Sequence, residues 1–123
     1  MNTRYNGENS LREEVLSLFG KGIVIPVCPE ILGGLGIPRP KATIQDDRIL
    51  NEEDEDVTYN FKKGSEEFLS FVKKIKPDWI YLKEHSPSCG VKNTNIYWKN
   101  QKGSGITARL LIEEGYKNIN GIE

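Results

Sequence analysis

Apolar positions recur along this chain at two spacings. Leu11, Val15, Leu18 and Phe19 follow the three- and four-residue steps of one helix face, and Ser10 with Glu13 forms a capping-box pattern at its start. The first helix is therefore expected over 10–20, ended by Gly20 or Gly22, because glycine tolerates the left-handed turn. Residues 22–27 then read Gly-Ile-Val-Ile-Pro-Val, short and apolar without a break. That suits a strand buried on both faces of a parallel sheet. Pro26 removes one ladder donor, so the strand is leaving the sheet just before Cys28.

A second helix is expected from Thr58, as its cap, to Pro77, as its stop. Phe61, Phe68, Leu69, Val72 and Ile75 give it an apolar face. Trp79-Ile80-Tyr81-Leu82 is the second clear strand, and Ile96-Tyr97-Trp98 reads as a short extended piece. Gly103-Ser104-Gly105 opens a third helix over 106–114, Gly115 ends it, and a last short strand falls near 118–122. Between these elements, 28–46 is rich in glycine and proline and reads as a long ordered loop. Residues 46–56 read as a solvated, flexible acidic loop whose carboxylates lack the fixed spacing of a cation site. The alternation predicts an α/β fold, an open parallel sheet with flanking helices. It has one oddity: doubly wound domains begin with a strand, and this chain begins with a helix.

Length and charge narrow the picture. A chain of 123 residues suggests a single domain, 1–123, large enough for a core without staples. A net charge of −1 gives no basic footprint for duplex DNA or an anionic membrane. No segment is long and apolar enough to cross a bilayer, and Met1-Asn2-Thr3-Arg4-Tyr5 lacks the apolar core of a signal peptide. The expected compartment is the cytoplasm, where thiols stay reduced. Cys28 and Cys89 are then a core residue, a nucleophile or a metal ligand in preference to a disulfide.

In open parallel sheets, ligands bind beyond the carboxyl ends of the strands, and both cysteines fall there. Two thiolates at one edge suit a soft metal or an iron–sulfur cluster, although two ligands close neither a zinc site nor a standard cluster. His85, the only histidine, is a candidate third ligand or the partner of a catalytic cysteine. Glu30 follows Cys28 by two residues and is a candidate general acid or base. Ser86 and Ser88 are ordinary turn formers. Arg39 and Lys41 flank Pro40 and are placed to meet an anion, and Gly103-Ser104-Gly105 before a helix resembles a phosphate-cradling turn.

Several segments together resemble the thiouracil desulfurase (TudS) family. They are Arg4-Tyr5-Asn6-Gly7, Cys28-Pro29-Glu30 with Gly33-Gly34-Leu35 and Pro38-Arg39-Pro40, then Asp56-Val57-Thr58, Ser86-Pro87-Ser88-Cys89-Gly90, and Gly103-Ser104-Gly105 with Thr107-Ala108. They stand in the family's order and span nearly the whole chain. The resemblance implies a Rossmann-like fold and a [4Fe-4S] cluster held by three cysteines, its fourth iron open to the sulfur of a 2-thiouracil-type base. Water then replaces sulfur by oxygen with no net redox change. Under this reading Cys28 and Cys89 are metal ligands and Glu30, Ser86 and Ser88 are catalytic. Arg39, Gly33, Gly34, Gly103 and Gly105 bind substrate, a thiolated nucleobase, free or within tRNA.

The sequence departs from the family pattern at its start. The family opens with a strand leading into Cys-Leu-Leu-Gly, ahead of the stretch matching Arg4-Tyr5-Asn6-Gly7. Here that strand and cysteine are missing, and Thr3 stands where many members carry a second early cysteine. Met1 is accordingly read as an internal methionine. The 123-residue form is expected to be inactive for want of the third ligand, and marginally stable or a homodimer across the vacant sheet edge. The alternatives are a non-catalytic iron–sulfur or modified-base binding protein, and a thiol redox protein using Cys28 or Cys89.

Overall fold

The computed structural model describes residues 25–122. The expected helix 10–20 and residues 22–24 of the first expected strand lie outside them. Residues 25–28 carry no regular structure and lead directly into α1 (Pro29–Leu32), a single turn with proline at its first position. Proline suits that position, because its missing N–H is unpaired there in any helix.

Residues 28–46, read as loop throughout, hold α1 and also β1 (Ala42–Gln45). The acidic segment is not a flexible loop either. It contains β2 (Arg48–Asn51), which pairs antiparallel with β1 in the register Ala42↔Asn51 to Gln45↔Arg48. Asp46 takes the left-handed conformation at the turn, φ 57°. Asn51 orders the residues after β2: its Oδ1 accepts the N–H groups of Glu53 and Glu55 at 2.9 and 3.0 Å. Asp56 then accepts the N–H of Thr58 at 2.9 Å. Thr58 is therefore not the cap. Its hydroxyl accepts the Ile49 N–H at 2.8 Å and ties β2 to the helix start, while Asp56 satisfies the orphan amide.

The second helix, α2 (Thr58–Ile75), buries Phe61, Gly64, Ser65, Phe68, Leu69 and Val72, one stripe at helical spacing. Ile75 was expected on that face but is 46% exposed. Lys76 ends the helix at φ 53°, one residue before Pro77. Then come β3 (Ile80–Lys83), β4 (Asn93–Ile96) and β5 (Lys99–Lys102). The expected extended piece 96–98 is instead a strand end and a turn: Tyr97 and Trp98 both have positive φ, 49° and 63°, the geometry of a tight hairpin turn. Their N–H groups donate to Ile44 O and to the Thr43 hydroxyl at 2.9 and 2.8 Å. Finally α3 (Ile106–Glu113) leads through Gly115 to β6 (Ile119–Ile122), close to the expected bounds.

The fold is thus α/β, as expected, but the described strands do not form one parallel sheet. The β3–β6 pair is parallel in the register Ile80↔Ile119 to Lys83↔Ile122. The other sheet is mixed, in the order β2-β1-β4-β5, two hairpins joined by a parallel contact at Ile44↔Ile96. One core cluster gathers Phe68, Leu69, Val72, Ile80, Leu82, Cys89, Ala108 and Leu111, and a second holds Ile44, Ile49 and Phe61. Full burial of a side chain such as Phe61 contributes about 1.5–3 kcal/mol. Among the described residues no helix is long and apolar enough to cross a membrane.

The helix glycine has a packing reason. A Cβ on Gly64 would collide with the Pro29 carbonyl, and one on Gly33 with the Asn60 carbonyl. Two backbones cross here with no side chain between them, and Asn60 Nδ2 donates to Gly33 O at 2.8 Å. Alanine in an exposed helix is worth about 1 kcal/mol over glycine. At this crossing the clash costs more, about 1–3 kcal/mol of overpacking. Gly64→Ala is expected to lower unfolding free energy in urea melts, and a variant as stable as the wild type would rule the crossing out.

Candidate functional site

Two segments bring the candidate residues together. The first is the start of α1, where Cys28 precedes the helix and Glu30 lies in its only turn. The second is the loop from Glu84 to Asn93, which leaves β3 and returns as β4. Gly90 N–H donates to Ser86 O at 2.9 Å, and the Ser86 hydroxyl accepts the N–H groups of Ser88 and Cys89, both at 3.1 Å. Ser86 is thus the turn former expected of it.

Glu30 joins the two segments. Its Oε1 pairs with Arg39 Nε at 3.1 Å, and its Oε2 accepts the Ser86 hydroxyl at 3.3 Å. Arg39 is 9% exposed: beside the Nε contact with Glu30, Nη1 donates to Gly36 O at 2.9 Å and Nη2 lies 3.7 Å from Cys28 Sγ. Its guanidinium is thus held against Glu30, Gly36 and Cys28. Beside Glu30 and Arg39 is a cavity of about 20 Å³, lined also by Leu35, Asn51, Val57 and Phe61. One water needs roughly 10–15 Å³, so there is room for one.

Cys89 is buried and belongs to the main core cluster. Its thiol is pushed up to about 12, first by burial and then by the negative charge of Glu30; the Ser88 hydroxyl pulls the other way. Cys89 Sγ lies 3.7 Å from Ser88 Oγ, which is 2.7 Å from Thr107 Oγ1 in α3. Ser88 and Thr107 are both fully buried. The chain of contacts runs Cys28, Arg39, Glu30, Ser86, the Cys89 backbone, Ser88, Thr107.

The expected glycines divide. The space beside Gly33 is filled by Asn60, and that beside Gly105 by Pro87 and Ser88, so both close approaches are to this chain's own backbone. Gly34 and Gly103 take positive φ, 94° and 147°, in turns. Lys41 is engaged through its N–H, which donates to Glu52 Oε1 at 2.8 Å. His85, with φ 71°, donates its N–H to Asn93 O, and among the described residues no group of three His, Cys, Asp or Glu side chains is arranged to hold a metal ion. The residue-by-residue reading missed Glu84, which accepts three backbone N–H groups of the loop, and Thr107 as the partner of Ser88. Glu84 had one usable signal, a carboxylate directly after a buried strand at its ligand-binding end.

Fold and site together define an α/β protein with two thiols on adjoining segments, a carboxylate between them and hydroxyls behind. The 2-thiouracil desulfurase family model matches residues 1–121, and the chain belongs to that family. A Bacillus subtilis (strain 168) protein described as uncharacterized protein YbbK is 36% identical over 129 residues, covering 94% of this chain and 85% of that protein. A solved structure of a [4Fe-4S]-dependent thiouracil desulfidase, TudS, superposes with a TM-score of 0.86 at 30% identity, over 98% of this chain and 82% of that one.

The Cys89 thiol makes stability depend on pH. Above pH 9.0 the unfolded chain loses this proton while the folded chain keeps it to about 12. The unfolded state then binds fewer protons, so stability falls as pH rises through that window. In urea melts at about pH 8 and about pH 10.5, Cys89→Ser is expected to lose about 1–2 kcal/mol less than the wild type between the two. Equal losses would remove the buried-thiol assignment.

Proposed function

We infer that this protein removes sulfur from a thiolated pyrimidine of the 2-thiouracil type, replacing C=S by C=O with water and releasing hydrogen sulfide. The observation that carries the reading is the meeting of both cysteine segments at Glu30. No oxidant is needed, because carbon keeps its oxidation state when oxygen replaces sulfur.

The donor chemistry fits an iron–sulfur group in two positions. Cys28 and Cys89 would hold it, since thiolates are its usual ligands. Burial opposes a free thiolate at Cys89, so a bound cation is what would favour ionisation there. A [4Fe-4S] cluster held there would supply a soft site for the substrate's sulfur. The chain's own residues do the rest. Glu30 accepts a proton from the attacking water and returns one to the departing sulfur. Arg39 fixes the carboxylate's direction, and Ser86 carries a proton between Glu30 and the substrate side. Ser88 is held by Thr107 and steadies the Cys89 sulfur.

The raised Cys89 thiol argues against a redox protein that attacks with this residue, because the thiolate is the nucleophile. Whether the base is free or part of a tRNA is an extension of the same chemistry, since the sulfur-bearing ring is common to both.

Anaerobic reconstitution with iron and sulfide is expected to give thiolate-to-iron absorption near ~400 nm, and Cys28→Ser or Cys89→Ser to lose most of it. Under this reading the reconstituted chain converts 2-thiouracil to uracil, and turnover would overturn the expectation, drawn from its missing third cysteine ligand, that the 123-residue form is inactive. Glu30→Gln is expected to keep its iron and lose about 10²-fold in kcat. Bound cluster with no turnover of 2-thiouracil would instead make this a cluster-binding or modified-base-binding protein.

A further inference from the structure

Glu84 has no part in the chemistry above, yet it is 6% exposed and lies against the loop that carries Cys89. Its backbone is fixed first: it comes directly after β3, and its N–H donates to Ile122 O at 2.9 Å, continuing the β3–β6 ladder. Its side chain then meets the returning half of the loop. Oε1 accepts the N–H groups of Val91, Lys92 and Asn93 at 2.7, 3.0 and 3.3 Å, and Oε2 takes a second contact from Lys92 at 3.3 Å. On its other side is Gly121 of β6, where any Cβ would collide with the carboxylate.

A buried carboxylate must have its acceptors filled. Here three successive amides fill them, which is achieved only while residues 91–93 curl around the carboxylate as an anion nest. The neighbouring backbone also needs holding. His85 sits at φ 71°, a conformation that a non-glycine residue keeps only where its surroundings enforce it, and its N–H donates to Asn93 O at 2.9 Å. Both ends of the Ser86–Gly90 turn are thereby tied to one side chain.

We propose that Glu84 is the positioning residue of this site: its carboxylate closes the 84–93 loop so that the Ser86 hydroxyl meets Glu30 and the Cys89 thiol stays sheltered. The consequence for turnover rests on the desulfurase reading. The consequence for Cys89 shelter does not.

The test uses the whole chain carrying Glu84→Gln. This variant keeps the side chain's shape but loses its charge and brings an amide donor to the nest. Two quantities are read. One is the alkylation rate of Cys28 and of Cys89 by iodoacetamide in the folded apo chain, resolved by mass spectrometry. The other is kcat and KM for 2-thiouracil after reconstitution. Cys89 is expected to react about tenfold faster through local opening while Cys28 keeps its rate. Misplacement of Ser86 is expected to cost about tenfold in kcat with KM held within about threefold.

A wild-type Cys89 rate overturns the proposal. So does a joint rise at both cysteines with a lowered melting temperature, which is what a merely structural role would give. A selective rise at Cys89 in a chain that never turns over 2-thiouracil supports the loop assignment and removes the desulfurase reading alone. Should Glu84→Gln fail to fold, Gly121→Ala presses a methyl group on the same carboxylate, and the same two alkylation rates decide.

Discussion

The site exists because one carboxylate is shared between two parts of the chain far apart in sequence. Glu30 receives Arg39 on one oxygen and Ser86 on the other. Neither cysteine segment is long enough to define its own geometry. α1 is a single turn, and an isolated turn that short has no stability in water. It stands because Gly33 and Gly64 let its backbone lie directly on α2. The Cys89 loop is backed in the same way by α3, where Gly105 fits under Pro87 and Ser88 and the Ile106 N–H donates to Pro87 O at 2.9 Å. Glycine is needed at these crossings for closeness, not for unusual dihedrals.

Burial decides which chemistry such a site favours. A thiol pushed up to about 12 is a poor nucleophile and a poor redox group at neutral pH. The same burial is an asset to a metal centre. Cation binding releases the thiol proton, so the free energy of binding is drawn on to ionise the ligand, and affinity becomes pH-dependent. At the other sulfur, the Arg39 guanidinium lies 3.7 Å from Cys28 Sγ. The two thiols thus have unlike surroundings, one beside a fixed guanidinium and one in the core.

How much of this was legible in the sequence depends on how local each signal is. The α2 stripe from Phe61 to Val72, the apolar run of β3 and the glycines around α3 are all encoded within a few residues of where they act, and the elements fall where expected. The hairpins were not legible. β1 and β2 are four-residue strands, and their turn is Asp46-Asp47 in place of the Asn-Gly that marks such hairpins. Tyr97 and Trp98 favour strands by propensity, yet they turn left-handed because Ile44 O and Thr43 Oγ1 capture their N–H groups. In the candidate site, the two cysteines, Glu30 and the serines were singled out from their motifs, and folding brings them together. Arg39 was singled out as a cation placed to meet an anion, but its burial was not legible, since its partners Glu30 and Gly36 are set by folding.

The two carboxylates nearest the Cys89 loop differ in what surrounds them, and that difference separates their roles. Glu30 is held by a guanidinium and a hydroxyl. A hydroxyl both donates and accepts, so a proton arriving at Glu30 has a path onward through Ser86. Glu84 is held by backbone amides, which donate and never accept, so a proton placed there has no such exit through its partners. Amides are also rigidly placed, whereas a serine hydroxyl rotates. One carboxylate thus sits where its partners allow exchange, and the other where its partners fix the backbone. Under the desulfurase reading the loop has to present a sulfur ligand and a proton-carrying hydroxyl at one edge, and that needs both kinds, because exchange at the first is useful only while the second holds the geometry still.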